Sequence, residues 1–161
     1  QSWKQLFSKT LKVPLDEFKM NCLPESTMPP GFAFKEAYDL LQHVKQCYDP
    51  NPVIIDADDL QTNPEETLKA YCAALDIPFS KDLLRWENGE NIASSWEIPR
   101  YFLQGNKLGG WYEAAFASEG FQKPRATPLR FDLSEDVLEC ADVVMPYYEE
   151  MYKERLKINH E

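Results

Sequence analysis

The sequence predicts an α/β fold, and three observations carry that expectation. Phe34, Ala37, Leu41 and Val44 form an apolar stripe at helical spacing. Val53-Ile54-Ile55 follows, a β-branched run without polar alternation, as expected of a strand covered on both faces by helices. Asn63 then stands as an N-cap, with Pro64 at the first helical position and Glu66 three residues on, opening a helix that turns Leu68, Tyr71, Cys72 and Leu75 inward. Helix, strand, acidic loop and helix in this order make a crossover unit of the parallel-sheet kind. The strand, at about residues 53–57, cannot stand alone, because its N–H and C=O groups would lack partners. Its neighbouring strands are expected from outside this chain.

Around that unit the elements follow in order. Trp3, Leu6, Phe7 and Leu11 predict an opening amphipathic helix that stops at Pro14. Pro24, Pro29, Pro30 and Gly31 predict an irregular connection, and Asp49-Pro50-Asn51-Pro52 closes the second helix with turn chemistry. Beyond Ile77-Pro78 come a short helix from Ser80 to Leu84 and aromatic-rich helical pieces at Trp96 to Leu103 and Trp111 to Phe116. The last helix, Ser134 to about Leu156, carries Val137, Leu138, Ala141, Val144, Met145, Tyr148, Met151 and Tyr152 on one broad face, which suits packing on its own domain or on a protein partner.

With 161 residues, 43% hydrophobic and 27% charged, the composition is that of one globular domain. Seventeen basic against twenty-seven acidic residues give a net charge of −10, which speaks against nucleic-acid backbones and anionic membranes as partners. Any anionic ligand must be gripped locally. Cys22, Cys47, Cys72 and Cys140 are scattered without a C-x-x-C pair, three of them in helical stretches, so buried reduced thiols and a cytoplasmic setting are expected, the alternative being one disulfide in a secreted protein. No apolar run approaches the roughly 20 residues of a membrane span. The chain begins directly in a helical pattern without Met, so preceding sequence is expected.

Four features could carry chemistry. Asp56, Asp58 and Asp59 lie at the carboxyl end of the strand, where open α/β sheets place ligands. They could hold magnesium, or serve an Asp-based phosphatase with Asp56 as nucleophile and Asp58 as general acid in phosphoryl transfer, or hydrogen-bond the amides of their own loop or pair with a basic residue from outside this chain. Ser2 could cap its helix or meet an anion at the helix amino end. Gly105-Asn106-Lys107-Leu108-Gly109-Gly110-Trp111 offers a flexible backbone, one cation and an aromatic, the parts needed to enclose a phosphate. His43 and His160, the two histidines, lack a motif-spaced partner; no catalytic residue and no metal ligand is assigned.

The stretches Pro52-Val53-Ile54-Ile55-Asp56-Ala57-Asp58-Asp59-Leu60, Asn63-Pro64-Glu65-Glu66 and Leu75-Asp76-Ile77-Pro78-Phe79, extended by Leu84-Arg85-Trp86-Glu87-Asn88-Gly89 and Ser118-Glu119-Gly120-Phe121, resemble the sulfotransferase-like branch of the P-loop nucleoside triphosphate hydrolase superfamily. The resemblance implies a three-layer, parallel-sheet P-loop-type fold. Residues 1–161 would be the C-terminal portion of a single such domain, supplying mainly helices and one strand. The phosphate-loop half would lie upstream, and this chain alone would be inactive. It implies transfer of a sulfonate group from 3′-phosphoadenosine 5′-phosphosulfate to a hydroxyl or amine acceptor, the nucleotide being bound by Ser2, Lys107, Gly109 and Gly110. The acceptor pocket is expected in the aromatic region from Trp96 to Phe116. Two departures are visible: Ala57 stands where many cytosolic sulfotransferases have Tyr, and Gln104-Gly105-Asn106 replaces an Arg-Lys-Gly loop. They leave room for a non-catalytic scaffold or interaction module that keeps the fold.

Overall fold

The structure, a computed structural model, describes residues 2–26, 29, 31–89 and 112–158. Its helices are α1 (Ser2–Leu11), α2 (Phe34–Cys47), α3 (Ala57–Thr62), α4 (Pro64–Ala74), α5 (Glu113–Phe116) and α6 (Glu135–Lys153), with 3-10 turns at Met20–Cys22, Lys81–Leu84 and Arg130–Asp132. The chain divides into two compact units: Gln1–Ile54 with Ala126–Arg155, and Ile55–Arg125 with Leu156–Glu161.

In the first unit α1 ends where the sequence places its end, by a backbone device. Lys12 adopts φ 56°, and the Val13 N–H reaches back to the Ser8 carbonyl at 3.0 Å, with Pro14 next in the chain. This left-handed closure satisfies carbonyls that the helix would otherwise leave open. Phe7 stacks on Phe18 at 6.5 Å, but Leu11 is exposed, so the apolar stripe does not run the length of the helix. Phe18, Met20 and Val137 form the buried core, with Phe7, Val13, Leu23, Leu133 and Cys140 packed around them. The connection expected to be irregular thus contributes two core residues.

Helices α2 and α6 pack through aromatics: Phe34 meets Tyr148 edge-on at 6.0 Å, and Tyr38 meets Tyr147 at 5.6 Å. Lys45 and Glu154 close the far end at 2.5 Å. Of the broad face expected on α6, Val137 is buried while Met145 and Tyr152 are exposed. Pro146 lies inside this helix, where it has no N–H for the Asp142 carbonyl. The cysteines also divide: Cys72 is buried and Cys140 half-buried, but Cys47 and Cys22 are exposed, and all are free. A helix-borne cysteine is buried only where its face of the helix is, and Cys47 is the last residue of α2.

Residues 53–55, where the first unit's opening stretch gives way to the second unit, are half-buried and carry neither helix nor ladder, and Ala57 already belongs to α3. Among the described residues no strand ladder is formed; Arg85 and Gly120 make an isolated antiparallel bridge. The extended segment therefore ends at Asp56, one residue short of the expected limit. A further departure concerns the cap of α4. Asn63 makes no side-chain cap bond, and Glu66 pairs with Lys69 at 2.9 Å instead of reaching back. The helix is held by Thr67, 2% exposed, whose hydroxyl donates to the Asn63 carbonyl at 2.8 Å.

The carboxyl end of α4 closes with Asp76 at φ 53°, Ile77 N–H on the Cys72 carbonyl at 2.9 Å and Asp76 N–H on the Ala73 carbonyl at 3.3 Å. Asparagine tolerates this left-handed position as well as any residue but glycine, and it removes a negative charge from the negative end of the helix dipole. Asp76→Asn is expected to raise stability by about 0.5 kcal/mol in urea denaturation; a loss of stability would show that the Asp76 carboxylate has another role.

None of the described helices is long and apolar enough to cross a membrane.

Candidate functional site

The acidic turn is built by Asp56. Its extended backbone (φ −82°, ψ 137°) lets one carboxylate oxygen accept the N–H groups of Asp58 at 3.0 Å and Asp59 at 3.2 Å. These are amides of the first turn of α3, which would otherwise be open. Asp56 is thus a helix cap, and the turn it organises is pinned from behind by Thr67, whose hydroxyl also lies 3.3 Å from the Asp59 carbonyl. Of the readings open for the acidic run, the geometry supplies the local one: carboxylate to loop amide. Among the described residues no three His, Cys, Asp or Glu side chains converge as a metal cluster would require.

A second construction joins residues 84–89 to residues 112–121. The Trp86 N–H donates to the Glu119 carbonyl at 3.2 Å, and the Gly89 N–H to the Phe116 carbonyl at 2.6 Å. Trp86 Nε1–H donates to Ser118 Oγ at 3.1 Å, and that buried hydroxyl donates to the Ala115 carbonyl at 2.7 Å. The indole also meets Phe121 edge-on at 5.3 Å, and Asn88 donates to the Glu119 carboxylate at 2.8 Å. Gly120 lets the two backbones approach, since a Cβ there would stand 2.9 Å from the Leu84 carbonyl oxygen. The residues between these two segments, 90–111, include Lys107, Gly109 and Gly110, which lie outside the described residues, as does the Trp96 to Trp111 part of the expected acceptor region. The ends of that span are nevertheless fixed at one place by backbone and side-chain hydrogen bonds.

In the first unit Ser2 is the first residue of α1, although its side chain lies outside the described residues. No acidic residue occupies the first turn of α1. Lys4, in the same turn, is committed elsewhere. Its ammonium, on a side chain 7% exposed, donates to Asp136 at 2.9 Å and to the Ser134 hydroxyl at 3.0 Å, while the Met20 N–H donates to the other Asp136 oxygen at 2.8 Å. Burial pushes the Asp136 carboxyl up, but the Met20 amide, Lys4 and Ser134 outweigh it and bring the group down to about 2.

Sequence patterns do not expose this ion pair, because its members lie 132 positions apart and each looks like an ordinary helix-surface charge. The Trp86 and Ser118 pair had a signal: both residues stand in the two short stretches, Leu84 to Gly89 and Ser118 to Phe121, that carry the family resemblance.

The model of the sulfotransferase domain matches residues 45–155, from the last turn of α2 through α6. The chain belongs to the sulfotransferase-domain family. It is also similar to two curated Arabidopsis thaliana proteins, both of which carry aminotransferase names. Branched-chain-amino-acid aminotransferase-like protein 1 is 36% identical over 126 residues, covering 74% of this chain and 21% of that protein. Branched-chain-amino-acid aminotransferase-like protein 2 is 42% identical over 89 residues, covering 55% of this chain and 14% of that protein. The chain thus spans about a fifth or less of the length of these relatives. No solved structure matches.

Proposed function

We propose that the protein to which this chain belongs transfers a sulfonate group from 3′-phosphoadenosine 5′-phosphosulfate to a hydroxyl or amine acceptor, in the cytosol. The observation that carries the reading is the sulfotransferase-domain match over residues 45–155. In this reading the phosphate loop and the strands flanking residues 53–55 come from sequence upstream, completing a three-layer parallel sheet. Relatives several times longer than this chain are consistent with such a division.

The residues present fit an anionic nucleotide in two respects. Ser2 lies in α1, at the position where the resemblance places the phosphate-binding serine. Lys107, Gly109 and Gly110 belong to the span whose ends are fixed by Trp86 and Ser118, so backbone donors and a cation on that span have an anchored origin. When bound, the nucleotide supplies the activated sulfonate. The work of this chain is to orient it and to neutralise charge on the departing phosphate, effects that act through preorganisation. Lys4 has no part in this, being paired with Asp136.

Thermal unfolding of the complete protein with 3′-phosphoadenosine 5′-phosphate tests the reading. A saturable rise in Tm is expected, and Ser2→Ala should weaken the apparent affinity roughly ten- to hundredfold, the cost of one hydrogen bond to a charged group. The absence of any shift at millimolar nucleotide would overturn the reading in favour of a non-catalytic module. Ala57, standing where many cytosolic sulfotransferases have Tyr, is the feature that favours this second reading.

A further inference from the structure

The first unit contains a cleft of about 470 Å³ between the Met20–Cys22 turn, the residues Pro29, Gly31, Phe32 and Phe34, and the first half of α6. The volume falls within the range of small-molecule sites, roughly 300 to 1,000 Å³. Its composition is graded. Met20, Gly31 and Val137 are its buried members, and Leu23, Phe32, Cys140 and Val144, each half-buried, belong to its apolar wall. Burial pushes the Cys140 thiol up, so it lines the wall as a neutral, weakly polar group. Glu25 and Glu139 also line the cleft, but they are exposed, which places them at its solvent side. Among the described residues, no Lys, Arg or His belongs to the lining.

We propose that this cleft is a binding site for an apolar ligand with a cationic amine head, the chain seated on Met20 and Val137 and the ammonium held between Glu25 and Glu139. The apolar wall supplies affinity, at about 0.8 kcal/mol for each buried methylene. The two carboxylates supply the selection, since a carboxylate-headed ligand of the same length would meet like charge with no cation to offset it. The protein's net charge of −10 works in the same direction. Asn21 donates to the Glu139 carboxylate at 2.7 Å, which fixes the position of that acid beside the mouth without neutralising it. The site is independent of the sulfonate-transfer reading: amine binding is expected with or without nucleotide, so each can fail alone.

Titration of the protein with n-butylamine, n-hexylamine and n-octylamine, with the matching alcohols and carboxylates as controls, tests the site by thermal shift and calorimetry. Affinity should rise about fourfold per methylene, with amine above alcohol above carboxylate. Glu139→Lys alters an exposed position and should leave the fold intact, yet weaken amine binding at least threefold and bring the carboxylate level with the amine or above it. Val144→Trp fills the cleft and should abolish binding of all three series. Amines and carboxylates binding alike, a Glu139→Lys protein with unchanged preference, or binding that survives in a folded Val144→Trp protein would each overturn the proposal.

Discussion

Asp136→Ala is expected to remove about 3 to 5 kcal/mol of stability, the largest loss foreseen for any single change in this chain. The substitution deletes an acidic side chain that is 2% exposed and leaves the Lys4 side chain, 7% exposed, buried without its counter-charge. It also strips the Met20 N–H of its acceptor at a core residue. Three segments distant in sequence meet at this carboxylate: the first turn of α1, the Met20–Cys22 turn and the first turn of α6. Removing both charges separates the contributions. Lys4→Met with Asp136→Leu should recover most of the loss, because burying a matched ion pair gains little over apolar packing while breaking one is expensive. A residue of about 1 to 2 kcal/mol should remain, from the orphaned Met20 amide. Urea denaturation of the two variants decides the matter, and a loss below about 1 kcal/mol for Asp136→Ala would show that Lys4 escapes to solvent.

The same carboxylate gives the first unit an acid-sensitive joint. Its folded value is about 2, below the ordinary value of 3.8, so the group binds its proton more readily once unfolded. Its contribution is present in full above about pH 4 and is lost as pH falls from 4 towards 2. The shift corresponds to about 2 kcal/mol, less than the mutational loss, because protonation keeps a hydrogen-bonding group in place whereas alanine removes it. The difference between wild type and Asp136→Asn across that window should isolate this carboxylate from the other acids.

How much was legible in the sequence varied with the range of the interaction. Helix α2 forms where its periodic stripe predicts it because 3.6-residue spacing is a local property, although Phe34 and Ala37 of that stripe are exposed. The end of α1 was read from Pro14, although the device that closes it is the left-handed Lys12. The cap position of α4 was read correctly, at Asn63 with Pro64 next, but the side-chain bond expected there is absent; the side chain that does cap is Asp56, seven residues earlier, on a separate short helix hidden in what reads as an acidic loop. Three adjacent carboxylates suggest a ligand because sequence shows charge without showing which N–H groups lie within reach. The ion pair and the core residues Phe18 and Met20 were illegible for the opposite reason. They depend on segments more than a hundred positions apart, and the Met20 segment carries no periodic pattern of its own.

Trp86→Ala is expected to cost about 3 kcal/mol, at the lower end for aromatic truncation because the residue is half-buried. The loss combines the edge-on contact with Phe121, worth about 0.5 to 1.5 kcal/mol, the Nε1–H bond to Ser118, and the area buried by the indole. Trp86→Phe should cost only about 1 kcal/mol, since Ser118 still donates to the Ala115 carbonyl and only its acceptor capacity goes unused. The functional consequence reaches further than the local loss. Residues 85–89 and 116–121 hold the two ends of the span that carries Lys107, Gly109 and Gly110. Freeing those ends would oblige any nucleotide contact made by that span to bear the cost of ordering it. Trp86→Ala should therefore weaken 3′-phosphoadenosine 5′-phosphate binding at least tenfold at a temperature where the variant remains folded, with Trp86→Phe nearer to wild type. A folded Trp86→Ala protein with unchanged nucleotide affinity would separate this anchor from the nucleotide and confine its role to stability.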